Sequence, residues 1–312
     1  MSRNFGLGQR DMSKAGYAAL RNSAQSGAVS FSTVATNSDR WSKFSEWARA
    51  HDVKKMENIS TDLVQKYGQQ LAEKVQEGQM SAATAQNYIS AVNSVMSIAT
   101  EGAWKSLSPT KDCGIDKRSA VRENAPGALD RIRYEKALHA VQEKLGERAA
   151  AVVEVAREFG LRSKEASLLN APKALYEAQK YGQVKIIDGT KGGRGREVPI
   201  QNAAQIEALQ RAAQAQGDAK AIMPPEQDWK GWREGDLRAV RELVQAHTGG
   251  GLHDLRAAYA CERYAQLTGH AAPCAGGQIL DRAQELEVRL AISNELGHNR
   301  VEVTSEYLGG RA

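Results

Sequence analysis

The sequence predicts a mainly α-helical protein in which a helical N-terminal domain precedes a larger α+β domain with one small β-hairpin or sheet. Three observations lead to this fold class. Apolar residues recur at helical spacing within residues 31–104, Pro and Gly interrupt the pattern at residues 105–128, and two short β-rich segments flank a glycine-rich turn. We therefore expect an interdomain linker at 105–128 and a second domain over residues 129–312.

The N-terminal domain is predicted to contain three helices. The segment before them, residues 1–30, is rich in Ser, Gly, Ala and Asn and is expected to form a flexible arm. Each helix has an apolar stripe that core packing explains, and Ser81 is a candidate N-cap for the third. The stripes are Trp41, Phe44 and Ala48; Leu63, Val64, Tyr67, Leu71 and Val75; and Ala85, Tyr88, Ile89, Val92, Val95, Met96 and Ala99.

The second domain is predicted to be helical around a hairpin. Two amphipathic stretches precede residue 160, and helices resume at Asn202. Between them, residues 183–187 and 197–200 have strand character and enclose the turn-rich stretch 189–196. This arrangement predicts a short β-hairpin that displays its turn at the surface.

Composition excludes several classes of protein. The apolar fraction is 41% and the charged fraction 25%, as in ordinary globular proteins, and no apolar run is long enough to span a bilayer. The N-terminus lacks the apolar core of a signal peptide. We therefore expect a cytoplasmic protein with no membrane partner.

The cysteines point to neither a disulfide framework nor a zinc ribbon. Cys113, Cys261 and Cys274 are an odd number without a CxxC pair. A metal site from Cys261, His270 and Cys274 is the alternative, but no fourth ligand follows at a metal-site spacing. Buried thiols are the favoured interpretation, and we predict neither a metal nor a cofactor.

The charge of the chain is compatible with nucleic-acid binding. The net charge is +5 and the pI is about 9.0. Residues 1–125 contain 16 Lys/Arg and 12 Asp/Glu, so a surplus of four positive charges lies in this part. The distribution fits a basic N-terminal domain that grips a polyanion and a nearly neutral domain that performs chemistry.

Four short motifs in the second domain contain candidate functional residues. Each has an ordinary structural explanation, such as a helix boundary at Gly160 or a flexible hairpin tip with solvated charges. The glycine-rich stretch also suggests a P-loop, but the order G-x-x-x-x-G-K-[ST] is not matched. His253 and Arg256 are three residues apart and would share a helix face. In chain order the candidates are Arg162, Lys191, His253, Arg256, His298 and Tyr307.

Taken in order, Arg, Lys, His-x-x-Arg, Gly-His and Tyr, these motifs resemble the signature of the tyrosine recombinase (phage integrase) family. The resemblance covers most of residues 30–312. It implies that residues 31–104 form a core-binding, DNA-binding domain and residues 129–312 a catalytic domain. It further implies a site-specific DNA recombinase or integrase that cuts and rejoins DNA through a 3′-phosphotyrosine intermediate, for integration or excision of a mobile element.

The resemblance implies that Arg162 and Arg256 hold the scissile phosphate and that His298 forms a hydrogen bond with it. The chemistry agrees with elementary electrostatics. A phosphodiester resists attack by another anion, and its transition state requires fixed positive charge at the equatorial oxygens. Arginine supplies a planar, permanently charged group that suits those oxygens.

The resemblance also implies that Tyr307 attacks phosphorus, that His253 accepts its proton, and that Lys191 protonates the leaving 5′-oxygen. A tyrosine hydroxyl has a pKa near 10 and needs a proton acceptor at pH 7. The covalent intermediate conserves the energy of the broken bond, so rejoining requires neither ATP nor a metal.

The sequence departs from the family pattern in three places. The gap between His253 and His298 is longer than usual, with the extra residues within 268–290. The first strand of the family's small sheet is not evident, because residues 174–181 look helical. Only five residues follow Tyr307, so the docking helix that many relatives place there is not expected. Coupling between subunits must then come from elsewhere.

Two alternatives remain beside the recombinase. A type IB topoisomerase-like enzyme would share the chemistry, and the compact helical N-terminal domain argues against it. A non-catalytic DNA-binding relative is disfavoured by the complete set of six residues. The expected partners are double-stranded DNA recombination sites, a homotetramer assembled on DNA and an accessory DNA-bending or directionality protein; the expected place is the nucleoid.

Overall fold

The computed structural model describes residues 3–278 and 281–310 and divides the chain into two units, which meet between Ser119 and Ala120. Each unit has its own hydrophobic core. The first unit contains helices α1 (Met12–Gln25), α2 (Phe31–Ala50), α3 (Thr61–Gln76) and α4 (Ala82–Ala99). The second contains α5 (Arg131–Leu145), α6 (Glu147–Glu158), α7 (Ser163–Leu168), α8 (Ala171–Tyr181), β1 (Gln183–Ile186), β2 (Arg196–Pro199), α9 (Ala203–Gln216), α10 (Trp229–Glu234), α11 (Asp236–Thr248), α12 (Leu252–Thr268), α13 (Arg282–Glu295) and α14 (Ser305–Leu308).

The fold class predicted from the sequence is confirmed. Helices dominate both units, and β1 and β2 form an antiparallel two-stranded sheet in which Val184 lies opposite Val198. Both valines are fully buried, which fixes the register because a shift by one residue would expose them. Within residues 3–278 and 281–310, no helix is long and apolar enough to cross a membrane.

The N-terminal segment differs from the prediction of a flexible arm over residues 1–30. Helix α1 lies inside it, and Trp41 Nε1 donates a hydrogen bond to the carbonyl of Met12 at 2.9 Å. A Cβ on Gly16 would lie 2.0 Å from that indole nitrogen, so the glycine permits the close approach. The small residues that suggested flexibility are the ones that let α1 pack against α2.

The segment 105–128, predicted as a linker, contributes buried residues to the cores of the two units. Cys113 and Ile115 belong to the core of the first unit, whereas Ala128 is buried in the second. A Cβ on Gly68 would lie 2.4 Å from the Cys113 thiol, which shows how closely this segment follows α3. The prolines and glycines here mark the lack of regular structure rather than a lack of packing.

Two central helices position the candidate site. Residues 149–158 of α6 are all buried, and so are residues 254–261 of α12. Alanines on both helices permit close packing. The chain leaves α6 just before Arg162, and α12 contains Arg256, so the two candidate arginines are carried by the best-packed part of the unit.

Candidate active site

Arg162 lies at a sharp chain reversal between α6 and α7. Gly160 has a φ of +60°, and a Cβ there would lie 2.5 Å from the Tyr259 ring, so a side chain cannot be placed at this position without a shift. Arg162 is the N-cap of α7 and donates from its backbone N–H to Glu165 Oε2 (2.8 Å) and from Nη1 to Oε1 (2.7 Å). Its side chain is about one quarter exposed, which leaves the guanidinium accessible.

Arg256 is fully buried on α12 and is held by the main chain. Its Nη1 donates to the carbonyl of Gly160 and its Nη2 to the carbonyl of Leu296, while Nε lies 3.3 Å from the hydroxyl of Tyr307. Burial lowers the pKa of Arg256 to about 10, which still leaves it charged at pH 7. The guanidinium is therefore a fixed positive charge aimed at the tyrosine.

His298 and Tyr307 complete the cluster. His298 follows α13 in a turn, and its Nε2 lies 2.9 Å from Tyr307 Oη, 3.2 Å from Arg256 Nη2 and 3.3 Å from Arg162 Nη2. Tyr307 lies on the one-turn helix α14 with 1% of its surface exposed. One imidazole nitrogen is thus within hydrogen-bonding distance of both arginines and of the candidate nucleophile.

His253 lies one turn before Arg256 on the same face of α12 and is exposed at the surface. The centre of its ring is 5.3 Å from the centre of the Tyr307 ring. The nearby protein lowers the pKa of His253 by desolvation, and the charges of Arg256, Arg122 and Arg162 lower it further. His253 is therefore held in the neutral form that can accept a proton.

The pKa of His298 is lowered more strongly, to about 4, first by burial and then by the charges of Arg256 and Arg162. At pH 7 the ring is neutral, and its Nε2 can accept a hydrogen bond from Tyr307 Oη or from an arginine N–H. An anion placed between the two guanidinium groups would offset the charges of Arg256 and Arg162 and so raise the pKa of His298.

Lys191 lies in the exposed turn between β1 and β2. Its ammonium makes no hydrogen bond or ion pair within the part of the chain that the structure describes. The turn is nevertheless anchored close to Arg162, because a Cβ on Gly189 would lie 2.8 Å from the carbonyl oxygen of Lys164. The hairpin thus presents Lys191 from the neighbourhood of the arginine cluster.

Glu165 is a site residue that the sequence interpretation did not single out. It is fully buried, and both of its oxygens accept hydrogen bonds from the nearly buried Arg196 at 3.0 and 2.7 Å. Burial opposes its ionisation, but the hydrogen bonds and charge of Arg196, followed by the Arg162 N–H and the Arg256 charge, lower the pKa to about 2. One carboxylate therefore orients and partly neutralises three guanidinium groups. The Arg162-x-x-Glu165 spacing at a helix start could have indicated it.

The comparisons with known proteins concern the family and the fold. A family model described as "Integrase" matches residues 116–262, a span that includes Arg162, Lys191, His253 and Arg256 and ends before His298. A search of curated proteins finds no match.

Several solved structures share the fold. A lambda integrase dimer bound to a COC′ core site is 15% identical with a TM-score of 0.59, covering 96% of this chain and 78% of that chain. The XerH site-specific recombinase bound to a palindromic difH substrate is 18% identical with a TM-score of 0.56, covering 88% and 75%. The Tn1549 transposon integrase in complex with circular intermediate DNA is 14% identical with a TM-score of 0.56, covering 97% of both chains.

At such low identities the solved structures show a common fold, and the family model connects that fold with the integrase sequence pattern. Arg162 and Arg256 of the cluster lie within the span that the family model matches. His298 and Tyr307 lie after that span. The chain therefore matches the integrase family model over residues 116–262 and shares its fold with solved integrases and site-specific recombinases.

Proposed function

We propose that this protein is a site-specific DNA recombinase in which Tyr307 forms a 3′-phosphotyrosine bond. The observation that supports this most directly is the position of Tyr307 Oη, 2.9 Å from His298 Nε2 and 3.3 Å from Arg256 Nε, beside the accessible guanidinium of Arg162. Packing alone does not explain why a buried tyrosine hydroxyl lies beside two arginines. It suits attack on an anion that the arginines hold.

In the proposed reaction a DNA phosphate lies between Arg162 and Arg256. Tyr307 Oη forms a bond to phosphorus as the bond to the 5′-oxygen breaks. The tyrosine proton passes to His253, and the leaving oxygen takes a proton from Lys191 on the hairpin turn. Religation is the reverse reaction with a 5′-hydroxyl from a second strand, so the phosphodiester bond is regained without an external energy source.

The two histidines have different proposed tasks. His298 makes the hydrogen bond with Tyr307 Oη, but its pKa of about 4 makes it a weak proton acceptor. We assign it to the phosphate, since an anion between the arginines favours its protonated, donating form. His253, more exposed and one turn from Arg256, is the assigned base.

Strand exchange between two duplexes requires four cleavage events, so the proposal includes a homotetramer assembled on paired double-stranded DNA sites in the nucleoid. The surplus of positive charge in residues 1–125 supports DNA binding by the first unit. An accessory DNA-bending or directionality protein is a further proposed partner. The lambda integrase has been solved as a tetramer bound to a Holliday junction, which is a property of that protein.

The proposal is tested by trapping the covalent intermediate. The protein is incubated with nicked duplexes of randomised sequence, and DNA that stays attached after SDS denaturation is recovered and sequenced. Tyr307→Phe should abolish the adduct and retain DNA binding, whereas Tyr264→Phe, a control at another buried tyrosine of the second unit, should retain both. An undiminished adduct in Tyr307→Phe would refute the assignment, and supercoil relaxation without joining of two duplexes would identify a topoisomerase.

A further inference from the structure

The segment that carries Tyr307 cannot hold itself in place. Helix α14 spans four residues, and isolated helices of that length are unstable in water. Tyr307 is nevertheless 1% exposed and directed at the arginines. Its position must come from groups elsewhere in the second unit.

Arg122 holds the first part of this segment. Its backbone N–H donates to the carbonyl of Ser305 at 2.9 Å, and its Nε donates to the carbonyl of Glu306 at 3.4 Å. The Arg122 guanidinium is itself fixed by Asp254 Oδ1 at 2.9 Å. Asp254 is the residue after His253, so one contact links the nucleophile segment to the start of α12.

The two cysteines of the second unit meet the middle of the segment. Cys261 Sγ and Cys274 Sγ each lie 3.5 Å from the carbonyl oxygen of Tyr307 and 3.6 Å from each other. The chain is in close contact here, because a Cβ on Gly309 would lie 2.8 Å from the backbone nitrogen of Cys274. The thiols thus act as weak donors that contact the carbonyl group of the nucleophile.

Arg289 holds the end of the segment. It is fully buried on α13 and donates to the carbonyls of Gly309 at 3.2 Å and Gly310 at 2.9 Å, and to Thr304 Oγ1 at 3.2 Å. Its charge is balanced by the buried Glu285 at 2.7 Å. Removing these carbonyls from Arg289 would leave guanidinium N–H groups buried without acceptors, which is costly.

Cys274 and Arg289 both come from residues 268–290, the stretch that is longer than the family pattern predicts. Its residues 279–280 lie outside the described part of the chain. The described residues of this stretch therefore supply donors to the chain on both sides of Leu308.

We infer that Arg289, assisted by Cys261 and Cys274, is a positioning residue that seats Tyr307 in the same subunit whose Arg162 and Arg256 hold the phosphate. This inference rests on the proposed function and adds to it the cause of nucleophile placement. The subunit that binds a scissile phosphate is then the subunit that cuts it.

The first test uses the double variant Glu285→Gln/Arg289→Met, which removes both charges and leaves no buried carboxylate unpaired. The rate of adduct formation with site DNA should fall by about 10- to 100-fold, as expected for a misplaced nucleophile, with the Kd for DNA changed less than about twofold. Arg289→Lys, which keeps the charge, should recover part of the rate. The control is Arg148→Met, because Arg148 makes similar bonds to the carbonyls of Gln216 and Ile222, far from the tail in sequence.

The second test leaves Glu285 and Arg289 unchanged, so it remains informative if the double variant does not fold. Tyr307→Phe and Arg162→Ala are mixed on one DNA site. Placement in the same subunit predicts no adduct above that of either variant alone, whereas exchange of the tail would restore cleavage and overturn the inference. A double variant that cleaves at the wild-type rate would also overturn it. If the wild-type protein forms no adduct on any DNA, the proposed function itself fails.

Discussion

Neutralising Glu165 should destabilise the second unit in a way that depends on pH. The pKa of this carboxyl is lowered from 4.5 to about 2, mainly by Arg196 against the opposing effect of burial. The difference corresponds to about 3 kcal/mol by which the folded state prefers the ionised form. Because the folded pKa is depressed, this stabilisation is present above about pH 4.5 and is lost as the pH falls towards 2.

Glu165→Gln is therefore expected to lower the free energy of unfolding at pH 7 by about 3 kcal/mol. The measurement is urea denaturation followed by circular dichroism at several pH values between 7 and 3. The gap between variant and wild type should close as the pH falls. Glu154→Gln is the control: Glu154 pairs with Arg211, whose side chain is 54% exposed, so its loss should cost less than about 1 kcal/mol.

The reasoning would be refuted if Glu165→Gln lost no more stability than the control, or if its deficit stayed constant from pH 7 to pH 3. Either result would mean that Arg196 does not depend on the charge of Glu165. The cleavage rate provides a second readout, since Arg162 loses the charge of Glu165 and one of the two oxygens that accept its hydrogen bonds.

The remaining predictions concern the chemistry of cleavage. Arg162→Ala or Arg256→Ala should cut the rate of adduct formation by at least ~10²-fold and weaken DNA binding much less. Single-turnover assays measure the rate, and DNA titrations measure the binding. A normal rate in either variant would show that other residues hold the phosphate. Lys191→Ala should lose ~10²-fold or more on ordinary DNA but recover on DNA with a 5′-sulfur leaving group, because a thiolate leaves without a proton; equal losses on both substrates would exclude an acid role. The rate should fall as the pH drops through the lowered pKa of His253, and a His253→Gln variant that keeps this pH profile would not fit.

Much of the site could be predicted from the sequence because its residues stand in a recognisable order. The spacing of His253 and Arg256 places both on one helix face, and the structure agrees. Their assigned roles stay predictions. Glu165 was within reach of the same reasoning, since a glutamate three residues after a helix start is a capping pattern.

Other features could not be predicted because local patterns do not describe them. Ser, Gly and Ala residues before residue 30 suggested a flexible arm. Helix α1 nevertheless packs there, because the Trp41 indole lies directly against Gly16. Composition alone cannot distinguish a small residue that is mobile from one that admits a large neighbour. Cys261 and Cys274, interpreted as buried thiols, are buried, but their contact with the Tyr307 carbonyl had no signal in the spacing.

The sequence by itself determined the helical periods, the hairpin and the identity of the charged and nucleophilic groups, because these depend on residues a few positions apart. The tertiary structure alone decided that Arg162 and His298 would meet across 136 residues, and that Arg256 would lie 3.3 Å from a tyrosine 51 residues later. It also decided that Arg289 would donate hydrogen bonds to the carbonyls of Gly309 and Gly310. Such contacts are set by the packing of α6, α12 and α13 around a common core. In that core, buried polar groups form hydrogen bonds with partners that are far apart in the chain.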